Sequence, residues 1–136
     1  MESRPTTPPL RIGILGAARI APFALIAPAR EVPAAKVLAV AARDAGRATA
    51  FAKRHGIQLA FGSYEALLAN ANVDAVYNPL PNSLHAPWTL RALEAGKHVL
   101  LEKPLATTIA DARDLIQTAD TVNRTLMVSQ NYRYRP

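Results

Sequence analysis

Cysteine is absent from the 136-residue chain. Its absence excludes disulfides, thiolate metal sites and a cysteine nucleophile. Histidine is scarce: His55, His85 and His98 stand far apart without ligand spacing, so no metal site is expected. Aromatic residues make up only 6% of the chain. No stretch approaches the ~20 apolar residues of a membrane span. The opening MESRPTTPPL is too polar and proline-rich for a secretory signal. A soluble, cytoplasmic protein with no membrane partner is the expectation. Lys and Arg outnumber Asp and Glu by 16 to 10, a net charge of +6. That excess favours an anionic partner. The basic residues are scattered and form no stripe, so no nucleic acid is expected.

What is present is one domain's worth of chain, half of it hydrophobic. Residues 1–9 read as a disordered tail. Beyond them, short β-branched runs alternate with helical patterns. Strands are expected at Leu10–Leu15, Lys36–Ala42, Ile57–Ala60, Val73–Asn78, Lys97–Leu101 and Leu126–Ser129. Helices are expected from Arg19 to about Ala29, from Asp44 to His55, over Tyr64–Ala69, from His85 to Ala95 and from Thr108 to Val122. Asp44 and Ser63 are cap residues by type, and Gly56 and Gly96 are helix stops. Continuous apolar strands alternating with helices imply a parallel sheet covered on both faces. With right-handed crossovers this is a doubly wound α/β sheet of the Rossmann type.

Ligands of such sheets bind beyond the carboxyl ends of the strands. Four loops with unusual chemistry leave those ends. The first, in RIGILGAARIAP, sets Gly16, Ala18 and Ala21 in the three slots of a dinucleotide fingerprint. Alanine at the second slot is tolerable only with a negative φ. Free N–H groups of Arg19 and Ile20 would hold a pyrophosphate. A plain strand-to-helix turn has the same outline. The second loop, VAARD, has Ala42 where an NAD enzyme usually carries an acid, and Arg43 follows. A guanidinium suits a 2′-phosphate that a carboxylate would repel. The loop therefore favours NADP, with Arg47 one turn further on. Asp44 is either a helix cap or a ribose contact, and the latter keeps NAD open.

The third loop, NPLPNSLH, is stiffened by proline and carries Asn78, Pro79, Asn82 and His85. It suits the wall for a flat ring, although Asn82 or Ser83 also suits a helix cap and His85 a satisfied turn histidine. The fourth is Glu102-Lys103-Pro104. A lysine at a partly buried edge can polarise a carbonyl or hold a hydroxyl, and Glu102 can orient that lysine or a ribose. The Lys103-Pro104 bond is a candidate for cis. A surface ion pair in a turn is the plainer reading.

Together these stretches resemble the N-terminal domain of the Gfo/Idh/MocA oxidoreductases. The likeness covers roughly Leu10 to Arg135, with EKP, NPLPNSLH and AGKHVLLEKPLA as its most specific marks. GILGAARIA and VAARD are similar to the sugar and dihydrodiol dehydrogenase branch. The resemblance implies hydride transfer between a nicotinamide and a hydroxyl carbon of a sugar, cyclitol or diol. It gives Gly16, Ala18, Arg19 and Ile20 the pyrophosphate turn and Arg43 the 2′-phosphate. It gives Asn78, Pro79, Asn82 and His85 the ribose and nicotinamide wall. Glu102 becomes a ribose contact and Lys103 the catalytic lysine. Asn131 and Arg133 belong to the segment crossing towards a second domain, so the dinucleotide-binding domain is placed at 10–130 and the crossover at 131–136.

Family members continue into a substrate-binding domain that is absent from this chain. The expectation is a truncated or split oxidoreductase that binds cofactor and turns over poorly or not at all alone. Its missing half would expose an apolar patch, a cue for a partner chain or an oligomer. The alternative is a non-catalytic NAD(P)-binding or sensing module that works with a partner chain. A doubly wound domain for another anionic ligand, such as a flavin or nucleotide sugar, is the weakest reading, because a Walker-type lysine loop is lacking and EKP is present.

Overall fold

The computed structural model describes residues 7–129. Residues 1–6 of the expected tail, and Asn131 and Arg133, lie outside that range. Six parallel strands form one sheet: β1 (Leu10–Leu15), β2 (Ala35–Ala41), β3 (Leu59–Phe61), β4 (Ala75–Asn78), β5 (His98–Glu102) and β6 (Leu126–Ser129). Their order is β3-β2-β1-β4-β5-β6, with the switch point between β1 and β4. This is the doubly wound sheet expected from the alternation of strands and helices. Among the described residues, no helix is long and apolar enough to cross a membrane.

The helices are α1 (Ala27–Arg30), α2 (Ala45–His55), α3 (Tyr64–Leu68), α4 (His85–Glu94) and α5 (Ile109–Thr121). Three start on side-chain caps. Asp44 accepts from Arg47 N–H, Ser63 from Ala66 N–H and Thr108 from Asp111 N–H. Each satisfies a donor that the first turn leaves unpaired. Gly56 and Gly96, at φ +67° and +82°, follow α2 and α4. Neither Asn82 nor Ser83 caps α4. They form a 3₁₀ turn, Asn82–Leu84, that leads into it.

The first helix departs from expectation. It begins at Pro22 rather than Arg19, and runs through a π-helical turn, Pro22–Ile26, before α1. The Ala27 N–H reaches back to the Pro22 carbonyl. Pro28 has no N–H to give the Ala24 carbonyl, so a regular α ladder cannot form there. A second shift bears on the site. β5 extends through Glu102, which pairs with Ser129, so Glu102 is a strand residue and not the first of a loop.

Alternate side chains sort the core into two layers. On one face Leu15, Val76, Val99 and Leu101 meet Leu67 of α3, Leu93 of α4 and Ala119 of α5. On the other, Ile12, Ile14, Val40 and Tyr77 meet Leu25, Ile26 and Ala52. This second face is covered by the π turn, α1 and α2, which pack towards β2 and β3. Over β4, β5 and β6 it carries an open apolar hollow of about 340 Å³, lined by Leu10, Ile12, Ala75, His98, Leu100 and Met127 among others.

Candidate functional site at the carboxyl edge of the sheet

Where β1 ends, Gly16 takes φ +95°. A Cβ there would meet Leu80 Cδ2 at 3.0 Å. Conformation and space both restrict the position to glycine. Ala18 is not among the positive-φ residues, which is the condition for a methyl group at the second slot. Ala21 is fully buried where the π turn meets the sheet. The N–H groups of Ala17, Ala18, Arg19 and Ile20 find no acceptor among the described residues. Successive unpaired N–H groups in a turn form a concavity suited to an anion.

Arg43 follows β2 and is exposed, as is Arg47 in the first turn of α2. Neither forms an ion pair among the described residues. Asp44 between them spends Oδ1 on the α2 cap. One cavity of about 390 Å³ joins three of the four loops, lined by Gly16, Ala18, Arg43, Arg47, Pro79 and Leu80 among others. A neighbouring hollow of about 460 Å³ shares Ala17, Ala18 and Arg47 with it and adds the side chains of Arg19 and Arg54. The sequence reading used Arg19 for its N–H alone and missed Arg54. Arg54 lies two helical turns from Arg47, a spacing that places both on one face of α2.

The third loop has an internal frame. Asn78 is fully buried. Its amide donates to the His85 carbonyl at 3.3 Å and to Thr89 Oγ1 at 3.1 Å, and its Oδ1 accepts from Leu80 N–H at 3.1 Å. His85 is 1% exposed. Its Nε2 lies 2.6 Å from the Leu80 carbonyl and its Nδ1 2.7 Å from the Pro104 carbonyl. Both carbonyls are acceptors, so the ring donates wherever a nitrogen carries its proton. Asn78 and His85 thus stand inside the wall, where their polar groups hold it in place, rather than on its open face. Pro79 is partly exposed, and Asn82 is exposed.

The His85–Pro104 bond also ties the third loop to the fourth. The Lys103-Pro104 peptide is cis. Lys103 is exposed and Glu102 partly so. Glu102 Oε1 accepts a 2.6 Å hydrogen bond from the Tyr77 hydroxyl, a partner that sequence reasoning missed. Burial first, and the Glu102 bond next, hold the Tyr77 phenol well above its ordinary range. The signal was present in the strand alternation: with Tyr77 opposite Leu100, Glu102 falls two residues further along on the same face.

The sequence model of the GFO_IDH_MocA oxidoreductase family, described by its NAD-binding Rossmann fold, matches residues 10–130. A D-xylose 1-dehydrogenase (NADP(+)) of Haloferax volcanii is 43% identical over 127 residues, which are 93% of this chain and 39% of that protein. A dTDP-3,4-didehydro-2,6-dideoxy-alpha-D-glucose 3-reductase of Actinomadura kijaniata is 44% identical over 135 residues, 98% of this chain and 40% of that one. The crystal structure of a 3-ketoreductase from Actinomadura kijaniata in complex with NADP superposes with a TM-score of 0.88 at 41% identity. The match covers 94% of this chain and 41% of that one. The chain therefore spans about two fifths of the length of these relatives.

Proposed function

Because this chain belongs to the Gfo/Idh/MocA oxidoreductase family and is its NAD-binding Rossmann domain, we propose that its carboxyl edge holds NADP in preference to NAD. The observation that carries this reading is the convergence of the loops. The glycine turn, two arginines without ion-pair partners among the described residues and the proline wall line one cavity, and His85 joins the fourth loop to them. The residues fit the group in kind. The N–H groups from Ala17 to Ile20, without acceptors among the described residues, suit the pyrophosphate. Arg43, with Arg47 beside it, suits a 2′-phosphate, and the second strand ends on Ala42, not on an acid that would repel it. Pro79 and Asn82 are assigned to the nicotinamide wall on the family resemblance, Asn78 and His85 hold that loop from within, and Glu102 takes a ribose hydroxyl.

When bound, the nicotinamide supplies or accepts the hydride. The chain's own contribution is orientation at Glu102 and a cation at Lys103, which positions the oxygen of the reacting carbon. In the whole protein the reaction is oxidation or reduction at a hydroxyl carbon of a sugar, cyclitol or diol. Sugar chemistry is favoured by the relatives, a xylose dehydrogenase and a deoxysugar 3-reductase. Asn131 and Arg133 are assigned to the cleft on the family resemblance.

The test is a parallel fluorescence titration of the purified chain with NADPH and NADH. NADPH should bind about tenfold or more tightly, the scale of one charge-assisted bidentate contact. Arg43→Ala should remove that preference and leave NADH affinity unchanged. Equal affinities, or an unaffected preference in the variant, would reject NADP as the cofactor.

A further inference from the structure

We propose that Tyr77 is a positioning residue for the nicotinamide end of the site, acting through Glu102. The inference rests on the cofactor reading above and adds a residue to it. Tyr77 stands on β4 and Glu102 ends β5, the neighbouring strand. The register sets Tyr77 opposite Leu100, so both side chains project from the same face of the sheet, with Glu102 nearer the carboxyl edge. The tyrosine ring is 1% exposed and packs with Ile12, Ile14 and Val40. Its hydroxyl emerges from that layer and donates to Glu102 Oε1 at 2.6 Å, the length of a hydrogen bond to a charged acceptor.

Two consequences follow from this geometry. A glutamate at a strand end otherwise samples several rotamers, and ordering it on binding would cost affinity. The phenol removes part of that freedom beforehand, from a ring whose own position the core dictates. The bond also uses one carboxylate oxygen only. Glu102 Oε2 has no hydrogen-bond partner among the described residues, and it remains to accept from a ligand hydroxyl beside Lys103. Because burial keeps the phenol protonated, Tyr77 stays a donor to Glu102. A purely structural tyrosine would satisfy its hydroxyl in the same way, but its loss would not single out one end of a ligand.

The experiment compares two ligands on the same chain. NADPH reaches the nicotinamide ribose, whereas adenosine 2′,5′-bisphosphate ends before it. Tyr77→Phe, which keeps the ring, should weaken NADPH by about three- to tenfold, part of the worth of a hydrogen bond to a charged group. It should leave the bisphosphate within about twofold. Glu102→Ala should show the same split. Tyr77→Phe should add nothing on the Glu102→Ala background, since the two act as one unit. Melting temperatures are read alongside, and a Tyr77→Phe chain that fails to fold would assign the hydroxyl to the fold and overturn the inference. Equal weakening of both ligands, no weakening of NADPH, or additive losses in the double variant would overturn the inference. A wild-type chain that binds neither ligand would instead remove the cofactor reading, and the inference with it.

Discussion

Arg11 and Asp74 show what single residues do at the edge of the sheet away from the loops. The Arg11 backbone N–H and Nε both donate to Asp74 Oδ2, at 2.9 and 3.0 Å, and Nη2 donates to Oδ1 at 3.0 Å. The clasp joins the start of β1 to the residue before β4, across the switch point. The Arg11 side-chain bond, more than any other cause, holds the Asp74 carboxyl below its ordinary value of 3.8. A carboxyl lowered on folding stabilises the fold above its unfolded value, and that contribution is lost as the pH falls through its folded one. Asp74→Asn should therefore lower the urea midpoint at pH 7, modestly because the pair is about one-third exposed. The difference from wild type should shrink as the pH drops below 3.8. A gap of constant size across that range would assign the effect to packing instead of charge.

At the scale of elements, the legible features were those with local causes. The six strands read from apolar β-branched runs, and two of the three side-chain caps and both helix-stop glycines read from residue type. What escaped depended on remote partners. Tyr77 and Glu102 are 25 residues apart, and His85 and Pro104 are 19 apart, so no window of sequence contains either bond. His85 read either as part of a wall or as a satisfied turn histidine; the nearby Leu80 carbonyl and the remote Pro104 carbonyl hold it inside, as the second reading had it. The wide first turn escaped because its cause, a missing donor at Pro28, acts several residues earlier. The glycine turn after β1 is the element most open to test. Gly16→Ala imposes a side chain at φ +95° against Leu80. It should cost about 1–3 kcal/mol in denaturant unfolding and weaken NADPH together with its adenosine bisphosphate fragment. Unchanged stability would mean that the turn tolerates another conformation.

At the scale of the molecule, the sheet is covered unequally. The crossovers from β1 to β3 set α1 and α2 on the second face, and those from β4 to β6 set α4 and α5 on the first. The first face gains α3 as well. The second keeps its apolar hollow over β4, β5 and β6, with Met127 56% exposed at the rim. Exposed apolar surface of this kind binds apolar probes and other chains. An environment-sensitive apolar dye should bind the folded chain, and Met127→Lys should reduce that signal without lowering the melting temperature. Undiminished dye binding would place the adhesive surface elsewhere.

The two bonds of His85 carry a consequence for motion in time. Loops at a sheet edge usually open independently, each with its own small free energy. Here the proline wall and the Lys103-Pro104 turn share one buried ring, and Asn78 anchors the same wall to α4. Neither loop can swing out without breaking a bond that also restrains the other. Their opening should therefore be a single event, read as one common exchange rate for the backbone N–H groups of both loops.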